Sequence, residues 1–394
     1  MAKHVFLAGA ARTPIGKFGG ALTPLQAADL GTFAARAALA RSGTPGEAVD
    51  EAIFGNARQA GVRPNVARQI AHRAGVPDPT PAYTINKACG SSLKAIMNAY
   101  GAIALGDADV VLAGGTESMS NTPHLLLGAR WGYRLGHAEV VDAMYRDGFL
   151  CPLCEQLMGE TAENLVDRYG ISREDSDRYA ARSQQRCEAA RRSGRFQDEI
   201  VPVEVQGPKG QTVAVSEDEH PRDGVTAESL AKLPPVFREG GTVHAGNSSG
   251  ITDGAAAVVV LSEEKVQELG VEPMARIVAY ASAGVDPAIM GIGPVPAVEE
   301  VLAKVGLELA DIDLIELNEA FASQVLACHR ELGFDLERVN VNGGAISLGH
   351  PIGATGARIV VTLLHEMKKR RVRRGLATLC ISGGLGLALL VESV

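Results

Sequence analysis

Two cysteines, one histidine and one asparagine stand in this chain where their side chains could make and break bonds: Cys89 in NKACGSSLKA, Asn318 in ELNEAFA, His350 in NGGAISLGHPIGATG and Cys380 in LCISGGLG. Cys89 opens a helical run, where free backbone N–H groups and the helix dipole lower a thiol pKa and supply donors for an oxyanion. Such a thiol within reach of an imidazole is an activated nucleophile for acyl transfer. A lone cysteine is more often an inert core residue, but Gly90, Ser91 and Ser92 follow this one at the helix start. His350 shares its stretch with Gly343, Gly344, Gly349, Gly353 and Gly356, a density that lets backbone approach another group closely. Cys380 closes a strand before glycines, and a second thiol there can move a proton once its pKa suits the task. Asn318 can hold a water or a carbonyl oxygen but transfers no proton; its plainer use is to cap a turn. The set suits acyl transfer followed by carbon–carbon chemistry.

The elements that must bring these residues together repeat. Cys89 precedes Leu93, Ile96, Met97, Tyr100 and Ile103 at helical spacing and then the strand-like DVVLAGG. His350 precedes Ile359, Val360, Leu363, Leu364 and Met367, also at helical spacing, and then ATLCISGG. Upstream, AARAALARSGTPGEAVDEAIFGNARQ parallels AVEEVLAKVGLELADIDLIELNEAFA, with Asn56 lying 33 residues before Cys89 and Asn318 lying 32 before His350. Agreement in spacing at several points favours an internal duplication, with equivalent loops facing one site, over chance likeness of two α/β stretches. Alternating helices and strands predict an α/β fold with mainly parallel sheets.

Between the halves the chain is more charged, with irregular GPKG and DEHPRDG segments and one charged helix, SREDSDRYAARSQQRCEAARRSG. This composition reads as an inserted lid. ITDGAAAVVVLSEE then resumes the strand pattern and is expected to rejoin the N-terminal sheet. The expected division is an N-terminal half at 1–118 plus 247–270, a lid at 119–246 and a C-terminal half at 271–394.

A chain of 394 residues, 46% of them hydrophobic, can bury a large core. The net charge of −8 is dispersed, and the basic run from Lys368 to Arg374 reads as a solvated helix end. Neither nucleic acid nor a membrane is implied as a partner, and no apolar run nears the roughly 18 residues of a membrane span. The short apolar N-terminal segment reads as a first strand and not a signal. Six cysteines in a large chain of this kind suit reduced thiols in the cytoplasm. Cys151 and Cys154 form a CPLC pair, but no second pair or histidine cluster completes four zinc ligands, so no metal site is expected.

At its reactive residues the chain resembles the thiolases, which make or cleave 3-ketoacyl-CoA. The matching motifs are NKACGSSLKA, GGTESMS, AGNSSGITDGAA, NEAFA, NGGAISLGHPIGATGAR and CISGG, and they span the chain in family order. The resemblance implies a five-layered αβαβα core of two duplicated halves, a lid that binds coenzyme A, and a homodimer or homotetramer. It implies Cys89 as the acylated nucleophile, His350 as its activator, and Cys380 as the acid or base at the acetyl methyl carbon. His350 and a water on Asn318 would form one oxyanion hole; the backbone N–H groups of Cys89 and Ser382 would form another, although the family often has glycine at the Ser382 position. Ser249 and Ala245 would line the pantetheine path, Met158 and Phe237 would pack around it, and Arg222 would lie near the adenine. Met290, Ala320 and Phe321 would border the acyl pocket. Coenzyme A and acyl-CoA enter as substrates, with no resident cofactor.

Leu157 departs from the histidine that short-chain members carry before Met-Gly, and together with CPLC it leads to an expectation of longer 3-ketoacyl substrates. A ketoacyl synthase would typically use two histidines and lack the second cysteine, so NEAFA and CISGG weigh against it. A cysteine hydrolase would need no Cys380, and a non-catalytic CoA or lipid carrier would need neither thiol nor imidazole.

Overall fold

The computed structural model describes residues 4–207 and 210–394; the first three residues and the central two of GPKG lie outside the described residues. The N-terminal half runs β1 (Val5–Arg12), α1 (Ala27–Ser42), β2 (Glu51–Gly55), α2 (Val66–Arg73), β3 (Ala82–Ile85), α3 (Ser91–Leu105) and β4 (Val110–Ser118). After the intervening segment, which carries α4 (Met158–Tyr169) and α5 (Arg173–Arg192), comes β5 (Thr252–Ser262). It pairs antiparallel with both β4 and β1, and so joins the N-terminal strands. The C-terminal half repeats the order with β6 (Ala275–Gly284), α6 (Pro294–Val305), β7 (Leu314–Leu317), α7 (Ala322–Leu332), α8 (Thr355–Arg370), β8 (Arg374–Ile381) and β9 (Leu385–Glu392). The counterpart of β3 shrinks to one parallel bridge, Ile315 to Val339.

The strands lie in the order β7-β8-β9-β6-β1-β5-β4-β2-β3. The halves meet where β1 and β6 share two residue pairs, Phe6 with Arg276 and Leu7 with Ala275. Among the described residues only β2–β3, β2–β4 and β7–β8 are parallel ladders, so the expectation of mainly parallel sheets is corrected to a mixed sheet. The turn at Ser382–Gly384 is too short for anything but an antiparallel return from β8 to β9. Gly383 and Gly384 take positive φ there.

Helices α3 and α8 lie between the two sheet halves, and their apolar faces share one core with both sets of strands. Leu93, Ile96, Met97 and Ile103 from α3, and Ile359, Val360, Leu363, Leu364 and Met367 from α8, are buried in it. Burial of each such side chain contributes about 2 kcal/mol. A β-carbon at Gly356 would lie 2.4 Å from the Leu93 amide nitrogen, so the helices meet where only glycine fits. Separate outer cores hold α1 and α2 on one side and α6 and α7 on the other, which completes the αβαβα layering. From residue 119 to 251, the described chain forms the two helices already named, a short helix at Ala227–Leu230, a few helical turns and three two-stranded ladders apart from the main sheet.

Candidate active site

The duplicated βα loops bring the reactive residues to the interface of the halves. Cys89 immediately precedes the Gly90 N-cap of α3. It packs against both the central core and a smaller cluster containing Ala57, Met119, Met144 and Ile352, the last from the His350 loop. The backbone N–H groups of Ser382 and of Cys89 itself face the Cys89 sulfur, and Arg58 acts on it electrostatically. Burial nevertheless raises the thiol above its ordinary value. The lowered thiol expected from the helix start is therefore corrected: at this buried start, desolvation outweighs the donors, and the resting group is a neutral thiol that needs a base.

His350 is buried, and its backbone N–H donates to Gly250 O at 3.0 Å. Thr355 Oγ1 donates to Pro351 O at 3.0 Å, so its oxygen accepts from His350 Nδ1–H at 2.6 Å. That leaves Nε2 as the lone-pair nitrogen, buried and without a partner among the described residues. Burial, together with Arg358 and Arg58, lowers the imidazole to about 3. A neutral imidazole with a free lone pair is poised to accept a proton.

Asn318 follows β7, and its backbone N–H donates to Thr378 O at 3.0 Å. Both polar atoms of its fully buried amide lack partners among the described residues. Cys380, on β8, is buried, and that burial together with the nearby Cys89 holds it well above the ordinary thiol value. It clusters with Met290, Ala320 and Phe321, and Met158 and Phe237 pack against the same group. The rings of Phe237 and Phe321 meet edge to face with centroids 6.4 Å apart. Ser249 N–H donates to Ala320 O at 3.0 Å, which ties its loop to this pocket. Ala245 is exposed, and so is Arg222, whose backbone N–H donates to Gln184 Oε1 at 3.0 Å. Neither belongs to the apolar cluster around Cys380. Leu157 is half-buried at the N-cap of α4, beside Met158.

Sequence reasoning missed Glu117, Arg58 and Thr355. Registers Gly55–Gly115 and Leu317–Thr378 put Glu117 at the repeat position of Cys380. Its carboxylate accepts from Asn56 Nδ2 at 2.7 Å, Ala57 N at 3.0 Å, Arg58 N at 3.1 Å and Gly353 N at 2.8 Å. It thus ties the Asn56 loop to the His350 loop. A glutamate inside the apolar strand VVLAGGTES was the available signal, since a buried acid needs partners. Among the described residues, no three His, Cys, Asp or Glu side chains converge as metal ligands.

Two family models match the chain: the thiolase N-terminal domain over residues 5–264 and the thiolase C-terminal domain over residues 271–393. The acetyl-CoA acetyltransferase of Allochromatium vinosum is 54% identical over 392 residues, covering all of both chains. A crystal structure of Bacillus anthracis acetyl-CoA acetyltransferase superposes with a TM-score of 0.97 at 48% identity, covering 100% of this chain and 99% of that one. Human mitochondrial 3-ketoacyl-CoA thiolase in complex with CoA does so with a TM-score of 0.96 at 45% identity, over the same shares.

Proposed function

This chain belongs to the thiolase family, and from that premise we propose that it works through a ping-pong cycle on Cys89, cleaving 3-ketoacyl-CoA with coenzyme A or condensing acetyl-CoA with an acyl-CoA. It is an acyltransferase. The observation that carries the cycle is the set of buried polar atoms left without partners among the described residues, His350 Nε2 and both amide atoms of Asn318, together with a second buried thiol, Cys380, that feels the charge of Cys89.

In the proposed order, His350 Nε2 takes the proton as Cys89 attacks the thioester or keto carbonyl, and the N–H groups of Cys89 and Ser382 receive the developing oxyanion. Ser382 uses only its backbone, so its side chain does not disable the hole. Burial is the main obstacle to ionising Cys380, and a charge on Cys89 would add to it; once acylated, Cys89 can no longer ionise beside Cys380. Cys380 then takes the α-proton of acetyl-CoA, or returns one to the leaving enolate in cleavage. A thioester α-proton is lost only if the enolate is stabilised as it forms, which is the work proposed for an Asn318-held water and for His350 while its Nε2 carries a proton.

Coenzyme A and acyl-CoA are substrates in this cycle, and it uses no metal or redox cofactor. The pantetheine would pass Ser249 and Ala245 between Met158 and Phe237, with Arg222 at the adenine end and Met290, Ala320 and Phe321 around the acyl group. Residues 119–246 would form the CoA-binding lid between halves at 1–118 plus 247–270 and 271–394. Six free cysteines support a reducing, cytoplasmic setting, and no described helix is long and apolar enough to cross a membrane. Incubation with a 3-ketoacyl-CoA, with and without free CoA, tests the reading. Chain-shortened acyl-CoA formed only with CoA is expected; CoA-independent hydrolysis, or no turnover, contradicts it.

A further inference from the structure

The CPLC pair lies outside the cycle but touches its machinery. Cys151 ends a two-residue strand, Leu150–Cys151, paired with Gln156–Leu157 just before α4, and Glu155 N–H donates to Cys151 O at 2.9 Å across the turn. The Cys151 sulfur accepts from the Cys154 thiol and from the backbone N–H groups of Leu153, Cys154 and Gly383. Gly383 adjoins Ser382, whose own N–H faces the Cys89 sulfur. One sulfur therefore anchors the loop that carries a proposed oxyanion donor. Cys151 is buried and Cys154 half-exposed.

Inert core thiols in this chain behave differently: burial pushes Cys187 and Cys328 up to about 12. Cys151 instead lies below the ordinary thiol value because its four donors outweigh its burial, while Cys154 lies above it because of burial first and its hydrogen bond to Cys151 second. That is the arrangement of a reactive dithiol.

We propose that Cys151 and Cys154 form a peroxide-oxidisable dithiol, whose closure to a disulfide releases the Ser382–Gly384 turn and slows chemistry at Cys89. The half-exposed Cys154 sulfur attacks a hydroperoxide: an S–O bond forms, the O–O bond breaks, and the alkoxide or hydroxide that leaves takes up the Cys154 thiol proton. Cys151 then attacks the Cys154 sulfenic acid: the S–S bond forms, the S–O bond breaks, and water leaves with the Cys151 proton. Two thiols lose two electrons and the peroxide gains them. A disulfide sulfur is a weaker acceptor than the Cys151 sulfur it replaces, so Gly383 N–H loses its anchor.

The test treats the whole protein with hydrogen peroxide while acetyl-CoA caps Cys89 as a thioester, then maps peptides and measures thiolysis. The rate arm rests on the thiolase reading, and the mass arm does not. A peptide linking Cys151 to Cys154 is expected, with turnover slower by about tenfold, less than the loss of a whole oxyanion donor. Dithiothreitol restores the rate, and Cys154→Ser keeps its activity and resists peroxide. A pair that stays reduced while other thiols oxidise, or a disulfide with unchanged rate, overturns the proposal. Absence of turnover before any peroxide counts against the thiolase reading alone, and the peptide map still decides the dithiol.

Discussion

At the scale of single residues, the site rests on groups kept neutral by burial. His350 lies at about 3 against an ordinary 6.5, so it stays an unprotonated base as the pH falls past the ordinary histidine range. We expect kcat/KM to show no loss attributable to His350 between about pH 8 and 5; a pH–rate profile breaking near 6.5, and losing that break in His350→Asn, would refute this. The unfolded chain does protonate this histidine, so its contribution to stability is present above 6.5 and is lost as the pH falls from 6.5 toward 3. Leu157 bears on substrate: thiolysis of 3-ketohexanoyl-CoA and longer chains should proceed at rates comparable to acetoacetyl-CoA, and strict preference for the four-carbon substrate would remove the idea. Cys89, Asn318, His350 and Cys380 could be singled out in the sequence because each breaks a local pattern of apolar residues or glycine. The protonation of the thiols could not, because helix-start logic points one way and burial, a tertiary property, decided the other.

At the scale of elements, the site depends on how two βα loops are tied together. Glu117 on β4 bonds the Ala57–Arg58 backbone on one side and Gly353 on the other, and Gly115 on the same strand leaves only 2.2 Å between a would-be β-carbon and Gly353 O. Glu117 touches none of the four reactive side chains through a hydrogen bond, so its role is to position the His350 loop. Glu117→Gln should lower thermal stability by about 2 kcal/mol, as for buried N–H donors that lose a charged acceptor, and reduce kcat more than it raises KM. Unchanged kcat with reduced stability would make the residue purely structural. The apolar faces of α3 and α8 were legible from spacing, as was the charged helix α5. The antiparallel centre of the sheet was not, since it follows from turn lengths and from β5 returning after a long insertion.

For the whole molecule, duplication supplies the geometry: the same fold twice, face to face, with a cysteine in one half and a histidine, an asparagine and a second cysteine in the other. The repeat was visible in the spacing of Asn56 to Cys89 and Asn318 to His350. Its functional asymmetry was not, because Glu117 and Cys380 occupy equivalent strand positions with unrelated chemistry. Leu126, Leu127, Trp131, Tyr133, Leu135 and Val140, all from one segment of the insertion, are exposed, Trp131 at 86% and Leu135 at 99%. Apolar exposure of that kind is common on assembly surfaces, which supports the homodimer or homotetramer that the family resemblance implies as a prediction. Light scattering should give a dimer or tetramer, with Trp131→Asp and Leu135→Asp together lowering the mass; a monomeric wild type would refute the assembly.

The division of labour between the two thiols is the centre of the account, and acyl-labelled acetyl-CoA tests it most directly. With the label followed by peptide mapping, wild type and Cys380→Ala should carry it on Cys89 and release it to added CoA, while Cys89→Ala carries none and Cys380→Ala fails to form a carbon–carbon bond. Label on another residue, or its equal loss from both variants, would contradict the assignment of Cys89 as nucleophile and Cys380 as the proton-transfer group.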